Sequence, residues 1–154
     1  MMKITSKKDL EILLERVPAF SNPKEYLEQY TIPSPLAAEI LWYAYLKGDI
    51  KGKIVIDLGS GTGRLAYGAA LLGAKYVIGV DIDIEAIYDL RRCRLWNVVG
   101  SYIDVVNNDV NYLKIPEHVQ DTTTVIQNPP FGVYSKGRDI MFLKASFNIG
   151  TVSY

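Results

Sequence analysis

Two short segments concentrate residue types that could do chemistry. The first is Asn128-Pro-Pro-Phe131. An aromatic amino group, such as the one on adenine, is a poor nucleophile because its lone pair is delocalised into the ring. Two acceptors aimed at its hydrogens can draw the nitrogen toward tetrahedral geometry and free that lone pair. The Asn128 side-chain oxygen can serve as one acceptor and the Pro129 carbonyl as the other. Pro129 and Pro130 stiffen the loop, so little entropy is lost in setting the geometry. Phe131 offers a face on which a base can stack. The plainer reading is a simple turn, since Asn-Pro and Pro-Pro are turn dipeptides.

The second segment is Asp57-Leu-Gly-Ser-Gly-Thr-Gly63. Gly59, Gly61 and Gly63 let the backbone turn sharply and approach a ligand closely. A bare strand-to-helix connection would use the same glycines. A dinucleotide site would too, but its spacing is Gly-x-Gly-x-x-Gly. Here the spacing is Gly-x-Gly-x-Gly, and Asp57 stands just before it, where a carboxylate would repel a pyrophosphate. That charge suits the cationic methionine part of S-adenosylmethionine. Asp81 follows and can accept hydrogen bonds from both hydroxyls of a ribose. Asp109 can accept from an adenine amino group, or can simply cap a turn. An activated methyl donor needs no strong general base, which agrees with the absence of histidine from either segment. His118, the only histidine, has no assigned role.

These residues need elements to position them. Leu10, Leu13, Leu14 and Val17 recur at helical spacing and predict an amphipathic helix over about Ser6–Arg16, stopped by Pro18. Asn22-Pro23 predicts the start of a short helix through Glu28. Ser34-Pro35 repeats that signal before a longer helix whose stripe is Leu36, Ala37, Ile40, Leu41, Ala44 and Tyr45, ending at Gly48. From there the pattern changes to strands alternating with helices. Strands are expected at Lys53–Asp57, Tyr76–Asp81, Ile103–Val106, Thr122–Gln127 and Thr151–Tyr154. Helices are expected at Arg64–Leu72, from Asp83 to about Trp96, and at Asp139–Asn148. Such alternation implies parallel βαβ units with helices on both sheet faces, an α/β doubly wound Rossmann-like fold. Both chemical segments then lie at carboxyl ends of strands, where open α/β sheets place ligands.

Composition bounds the function. The 154 residues are 49% apolar and 22% charged, enough for a core without disulfides or metals and against disorder. Seventeen basic and 17 acidic residues cancel. That excludes a module that binds nucleic acid by bulk positive charge. The lone cysteine, Cys93, excludes an intrachain disulfide framework and a cysteine-rich zinc site. A reduced, cytoplasmic setting is expected. Met1–Leu14 mixes charges with its apolar residues and does not read as a signal peptide. No apolar run reaches membrane-spanning length.

The motifs together resemble class I S-adenosylmethionine-dependent methyltransferases that act on amino groups. Leu27-Glu-Gln-Tyr30, Ala37-Ala38, Asp57–Gly63, Gly79-Val-Asp-Ile-Asp83 and Asn128-Pro-Pro-Phe-Gly132 resemble the methyltransferase-like protein 5 family, in its archaeal form. That resemblance implies N6-methylation of adenosine in small-subunit ribosomal RNA. It implies that Gln29, Tyr30 and Thr31 cover the cofactor. Gly59, Gly61, Thr62 and Arg64 would contact its methionine end, Asp81 its ribose, and Asp109 with Val110 its adenine. Asn128, Pro129, Pro130 and Phe131 would hold the target base. The family reads Gln-Tyr-x-Thr, whereas here Thr31 follows Tyr30 directly. The family's sheet has seven strands, so the last two are expected to be missing. One domain is expected, with a helical cap over residues 1–50 and a Rossmann-like core over 51–154.

The resemblance also implies a small zinc-binding activator protein paired with the edge strand Tyr102–Val106, although an edge shielded by its own loops fits equally. Arg91, Arg92 and Arg94 form the densest basic cluster and read first as a solvated helix face. Without net charge, RNA affinity must come from local contacts or from the ribosomal particle, and the adenine must be single-stranded or flipped out. The rival activities are N5-methylation of a protein glutamine and a catalytically silent binding module.

Overall fold

The computed structural model describes residues 4–154. Met1–Lys3, the first residues of the segment that does not read as a signal peptide, lie outside the described residues. Five strands form one parallel sheet: β1 (Ile54–Leu58), β2 (Tyr76–Asp81), β3 (Ile103–Asn107), β4 (Thr123–Gln127) and β5 (Val152–Ser153). Their order across the sheet is β3-β2-β1-β4-β5. Leu58 pairs with both Val80 and Gln127, and Asp81 pairs with Asn107. The first four strands therefore end at one level, and the loops that follow them gather at one edge of the sheet.

Period-two alternation sends successive strand residues to opposite faces. Val55, Val77, Ile103 and Ile126 join one core cluster. Ile56, Leu58, Val80 and Val125 join a second one on the other face. The first face is covered by α1 (Lys7–Leu14), α2 (Ser34–Leu46), α3 (Arg64–Leu71), α4 (Ile84–Arg92) and α5 (Trp96–Val99), which place Leu10, Leu41, Ala66, Leu90 and Val99 in that cluster. The second face is covered by α7 (Arg138–Ile149) through Ala145 and Ile149, while the one-turn α6 (Glu117–Gln120) lies before β4. Residues of α1 and α2 thus share one apolar core with the sheet.

Local chemistry explains most boundaries. The Ser6 side chain accepts from the Asp9 N–H while Asp9 accepts from the Ser6 N–H, a capping box that starts α1. Asp83 caps α4 through the Glu85 N–H. Three expectations need correction. Asn22-Pro23 opens no α-helix. A single 3-10 turn forms at Glu25–Leu27 instead, and Asn22 donates to Glu85. Leu36 is half exposed, because Ala37, Ala38, Leu41 and Ala44 are the apolar residues of α2 buried in the core. The helix after Asp83 does not run to Trp96; it breaks at Cys93, which is extended. Cys93 and Leu95 are both buried. In a continuous helix they would point about 200° apart, so the break lets both reach the core. Among the described residues no helix is long and apolar enough to cross a membrane.

Candidate active site

The carboxyl ends of β1, β2, β3 and β4 surround one pocket. Its walls include Asp57 of β1, Gly59–Thr62 and Arg64 after it, Val80–Ile82 at β2, Asn108–Val110 after β3, and Asn128 with Pro130 after β4. Met141 and Phe142 of α7 close one side. A strap that includes Phe20 and Leu27–Ile32 closes the top.

The loop after β1 is fixed from within. The Gly59 and Ser60 N–H groups both donate to the Val80 carbonyl, at 2.8 and 3.0 Å. The Gly61 N–H donates to Asp81 Oδ2 at 2.8 Å, and the Asp83 N–H donates to Asp81 Oδ1 at 2.8 Å. One carboxylate thus organises two loops. Gly61 has φ +53°, and a Cβ there would meet the Phe20 ring at 2.7 Å, so the strap lies directly on this glycine. Asn107 holds the loop after β2 by donating to the Asp81 and Ile82 carbonyls.

The electrostatics are unusual for so buried a place. Asp57 is 1% exposed and Asp81 is 7% exposed. Burial pushes the Asp57 carboxyl up to about 8, eased by the nearby Ala66 N–H and reinforced by Asp81. Burial also raises Asp81, against the opposing effect of the Asp83 and Gly61 amides. Buried polar atoms normally find partners. Here Thr31 Oγ1, Asp57 Oδ2, Ser60 Oγ and Arg64 Nε have none, and all four residues border this pocket. The apolar remainder of the wall comes from Leu27, Val80, Ile82, Val110 and Phe142. Carboxylates toward one end and apolar side chains beside them fit an amphiphilic ligand with a cationic part and a flat aromatic part.

The expected site residues are distributed unevenly. Gln29, Tyr30, Thr31, Asp57, Gly59, Gly61, Thr62, Arg64, Asp81, Asp109, Val110, Asn128 and Pro130 all border the pocket. Gly63 does not. Its missing side chain instead makes room for Leu90, which a Cβ would meet at 2.7 Å. Gln29 spends its amide on the strap, accepting from the Lys24 N–H and donating to Asp83. Arg64 ties down the chain before it, donating to the Ile32 carbonyl at 2.6 Å and the Val17 carbonyl at 2.7 Å. Asp109 caps a turn through Asn111 as well as bordering the pocket. Pro129 and Phe131 lie outside the wall, and Phe131 is 69% exposed, stacked on Tyr30 with ring centroids 5.8 Å apart. Arg91, Arg92, Arg94 and His118 are exposed.

Sequence reasoning missed the strap's anchors. Lys24 binds Asp83 at 2.7 Å, and Ser21 donates to Asp89 through both its N–H and its hydroxyl. The Gly132 and Val133 N–H groups donate to the Glu28 carboxylate, and Arg138 donates to the Tyr26 carbonyl. Glu28 stands inside the Leu27-Glu-Gln-Tyr30 motif, but nothing in the sequence says which loop it meets.

The sheet order and the ligand wall at its carboxyl edge define a Rossmann-like methyltransferase fold, a class that uses S-adenosylmethionine. The ribosomal protein L11 methyltransferase (PrmA) family model matches residues 41–128, which run from α2 to the asparagine after β4. The rRNA N6-adenosine-methyltransferase METTL5 of Danio rerio is 38% identical over 94% of this chain and 70% of its own length. An uncharacterised Methanocaldococcus jannaschii protein is 44% identical over 96% of the chain and 69% of its own length. The crystal structure of a proposed RNA methyltransferase from Pyrococcus horikoshii superposes with a TM-score of 0.87 at 44% identity, covering 96% of this chain and 72% of that one. The chain belongs to the PrmA-like methyltransferases over the shared core and, over nearly its whole length, to the METTL5 family.

Proposed function

We propose that the protein transfers a methyl group from S-adenosylmethionine to the N6 amine of an adenosine in RNA, in particular small-subunit ribosomal RNA. One observation carries this reading. Asn128 and Pro130 share a pocket wall with Asp57 and Asp81, because β4 pairs directly with β1. A target amine held by the Asn128 loop would therefore meet whatever the acidic end of the pocket holds.

S-adenosylmethionine supplies an electrophilic methyl group on a sulfonium. Asp57 and Ser60 are suited to its ammonium-bearing end, since both have unsatisfied acceptors there. Asp81 is suited to the ribose, because each of its oxygens accepts one N–H and keeps a second lone pair. Val80, Ile82 and Val110 offer apolar contact to an adenine ring. On the other side, the Asn128 oxygen and the Pro129 carbonyl accept the two hydrogens of the target amine. They localise the nitrogen lone pair, which forms the new nitrogen–carbon bond as the carbon–sulfur bond breaks. The proton leaves the nitrogen afterwards. Phe131, exposed and aromatic, stacks the extruded base.

The relatives named rRNA N6-adenosine-methyltransferases support RNA over glutamine as the acceptor. A small zinc-binding activator at β3 is part of the proposal. β3 is an edge of the sheet; Val106 is exposed on it and Tyr102 is exposed in the turn just before it. The test incubates labelled S-adenosylmethionine with ribosomal subunits, free RNA, DNA and a glutamine-bearing protein acceptor, using wild type and Asn128→Ala. Label on N6 of adenosine in small-subunit RNA, lost in the variant, is the expected result. Label on glutamine, or undiminished transfer by Asn128→Ala, overturns the reading.

A further inference from the structure

The strap and the target-base loop meet along an antiparallel set of contacts. Tyr26 accepts from Arg138 at 2.9 Å. Glu28 accepts from the Gly132 N–H at 3.2 Å and from the Val133 N–H at 3.1 Å. The Tyr30 ring lies on Phe131, 12° from parallel. As the strap advances from residue 26 to 30, its partners recede from Arg138 at the start of α7 to Phe131 in the loop, and Glu25, one residue earlier, accepts from the Tyr134 hydroxyl at 3.5 Å.

The loop has little else to hold it. Between β4 and α7 no strand or helix forms, and no backbone hydrogen bond ties residues 128–134 to another element. Phe131, Val133 and Tyr134 are 69%, 77% and 61% exposed. The two N–H groups that directly follow Phe131 are satisfied by one side chain from 104 residues earlier. That side chain sits on unfavourable backbone. Glu28 has φ +53° and is the only non-glycine residue among those described in the left-handed region. Every other residue there is glycine. Glycine would suit the position better on conformational grounds, yet it could not reach the loop. Strained backbone kept beside a reactive loop is a mark of function.

We infer that Glu28 is a positioning residue, a clasp whose carboxylate fixes the loop after β4 and thereby the placement of Phe131 and Asn128 for the target base. The inference rests on the methyl-transfer reading above. The clasp also runs toward the cofactor side. Gln29, next in the chain, donates to Asp83 at 2.7 Å, and the Asp83 N–H donates to Asp81. A carboxylate accepts both loop N–H groups. A carboxamide accepts one and turns its own N–H groups toward the other, and glycine accepts neither.

The test compares wild type, Glu28→Gln, Glu28→Gly and Asn128→Ala. Each is labelled with para-fluorophenylalanine, which reports four positions by fluorine NMR: Phe20, Phe131, Phe142 and Phe147. Phe131→Leu assigns the Phe131 signal. Glu28→Gly is expected to keep Tm within about 2 °C of wild type or raise it, since backbone strain is relieved. It should shift or broaden the Phe131 signal while leaving Phe147 unmoved. It should lower kcat about ten- to a hundredfold, with the KM for S-adenosylmethionine changed by less than about threefold. Glu28→Gln should fall between glycine and wild type. An unmoved Phe131 signal in Glu28→Gly rejects the clasp. A moved signal with kcat within about twofold of wild type rejects its catalytic role. Absence of transfer by wild type to any RNA rejects the function itself, which the NMR arm distinguishes from failure of the clasp.

Discussion

The two halves of the pocket reach rigidity by opposite routes. The half at β1 and β2 is buried and held from within, by amides that donate to the Val80 carbonyl and to Asp81. The half at β4 is exposed and held from outside, by the strap. The difference matches the proposed tasks. A small, invariant cofactor can be enclosed by a short loop whose geometry is set locally. A base that belongs to a large RNA must arrive from solvent, so its loop cannot be buried in the fold and must be braced by something that leaves its outer face open.

If the halves are separable, Asn128→Ala should give the largest effect and confine it to one side. Transfer to RNA should fall by about a hundredfold or more, with S-adenosylmethionine affinity by calorimetry changed less than about threefold. A matching loss of cofactor affinity would break the comparison. The converse substitution, Asp81→Asn, should weaken cofactor binding by about ten- to a hundredfold, because a charged acceptor that serves two loops is lost. Gly61→Ala should lower stability in denaturant titrations by about 1–3 kcal/mol, since it adds strain at positive φ and displaces Phe20.

A pH series sharpens the comparison further. The Asp57 carboxyl is raised to about 8, so the folded protein holds a proton that the unfolded chain releases near 3.8. Its contribution to stability is full below the unfolded value and is lost as pH rises through the folded one. Between those limits the slope approaches about 1.4 kcal/mol per pH unit. Unfolding titrations at pH 5 to 9 should show this decline in wild type and a flatter curve in Asp57→Asn. Affinity for the cationic cofactor should run the other way, rising toward pH 8 in wild type alone. The smallest effect is expected far from both halves. Replacing Arg94 with glutamine should change stability by less than about 0.5 kcal/mol, as for exposed side chains in general, whereas Arg91 and Arg92 lie in the last turn of α4 and Arg91 also sits over the Trp96 ring.

The legible parts of this protein are the local ones. The start of α1 near Ser6, the strands Tyr76–Asp81 and Thr123–Gln127, and the glycine turn after β1 follow from propensity, period and turn chemistry within a few residues. Cys93 shows where that reasoning stops. The helical pattern reads through it, but burial of both Cys93 and Leu95 on one side required a break that only the packed core imposes. Gly63 and Arg64 show the same limit in the site. Both stand in the motif, yet Gly63 makes room for Leu90 instead of bordering the pocket, and Arg64, which does border it, also braces the carbonyls of Val17 and Ile32.

The sequence by itself determined the residue types at the ends of the strands, and with them the chemistry we propose: carboxylates for a cation and a ribose, a carboxamide and prolines for an amine. Only the tertiary structure decided which of these face one another. β4 returns beside β1 across roughly 65 residues, and Glu28 reaches Gly132 across 104. Contacts so distant in sequence leave no periodic trace, because each end satisfies its own local rules without reference to its partner.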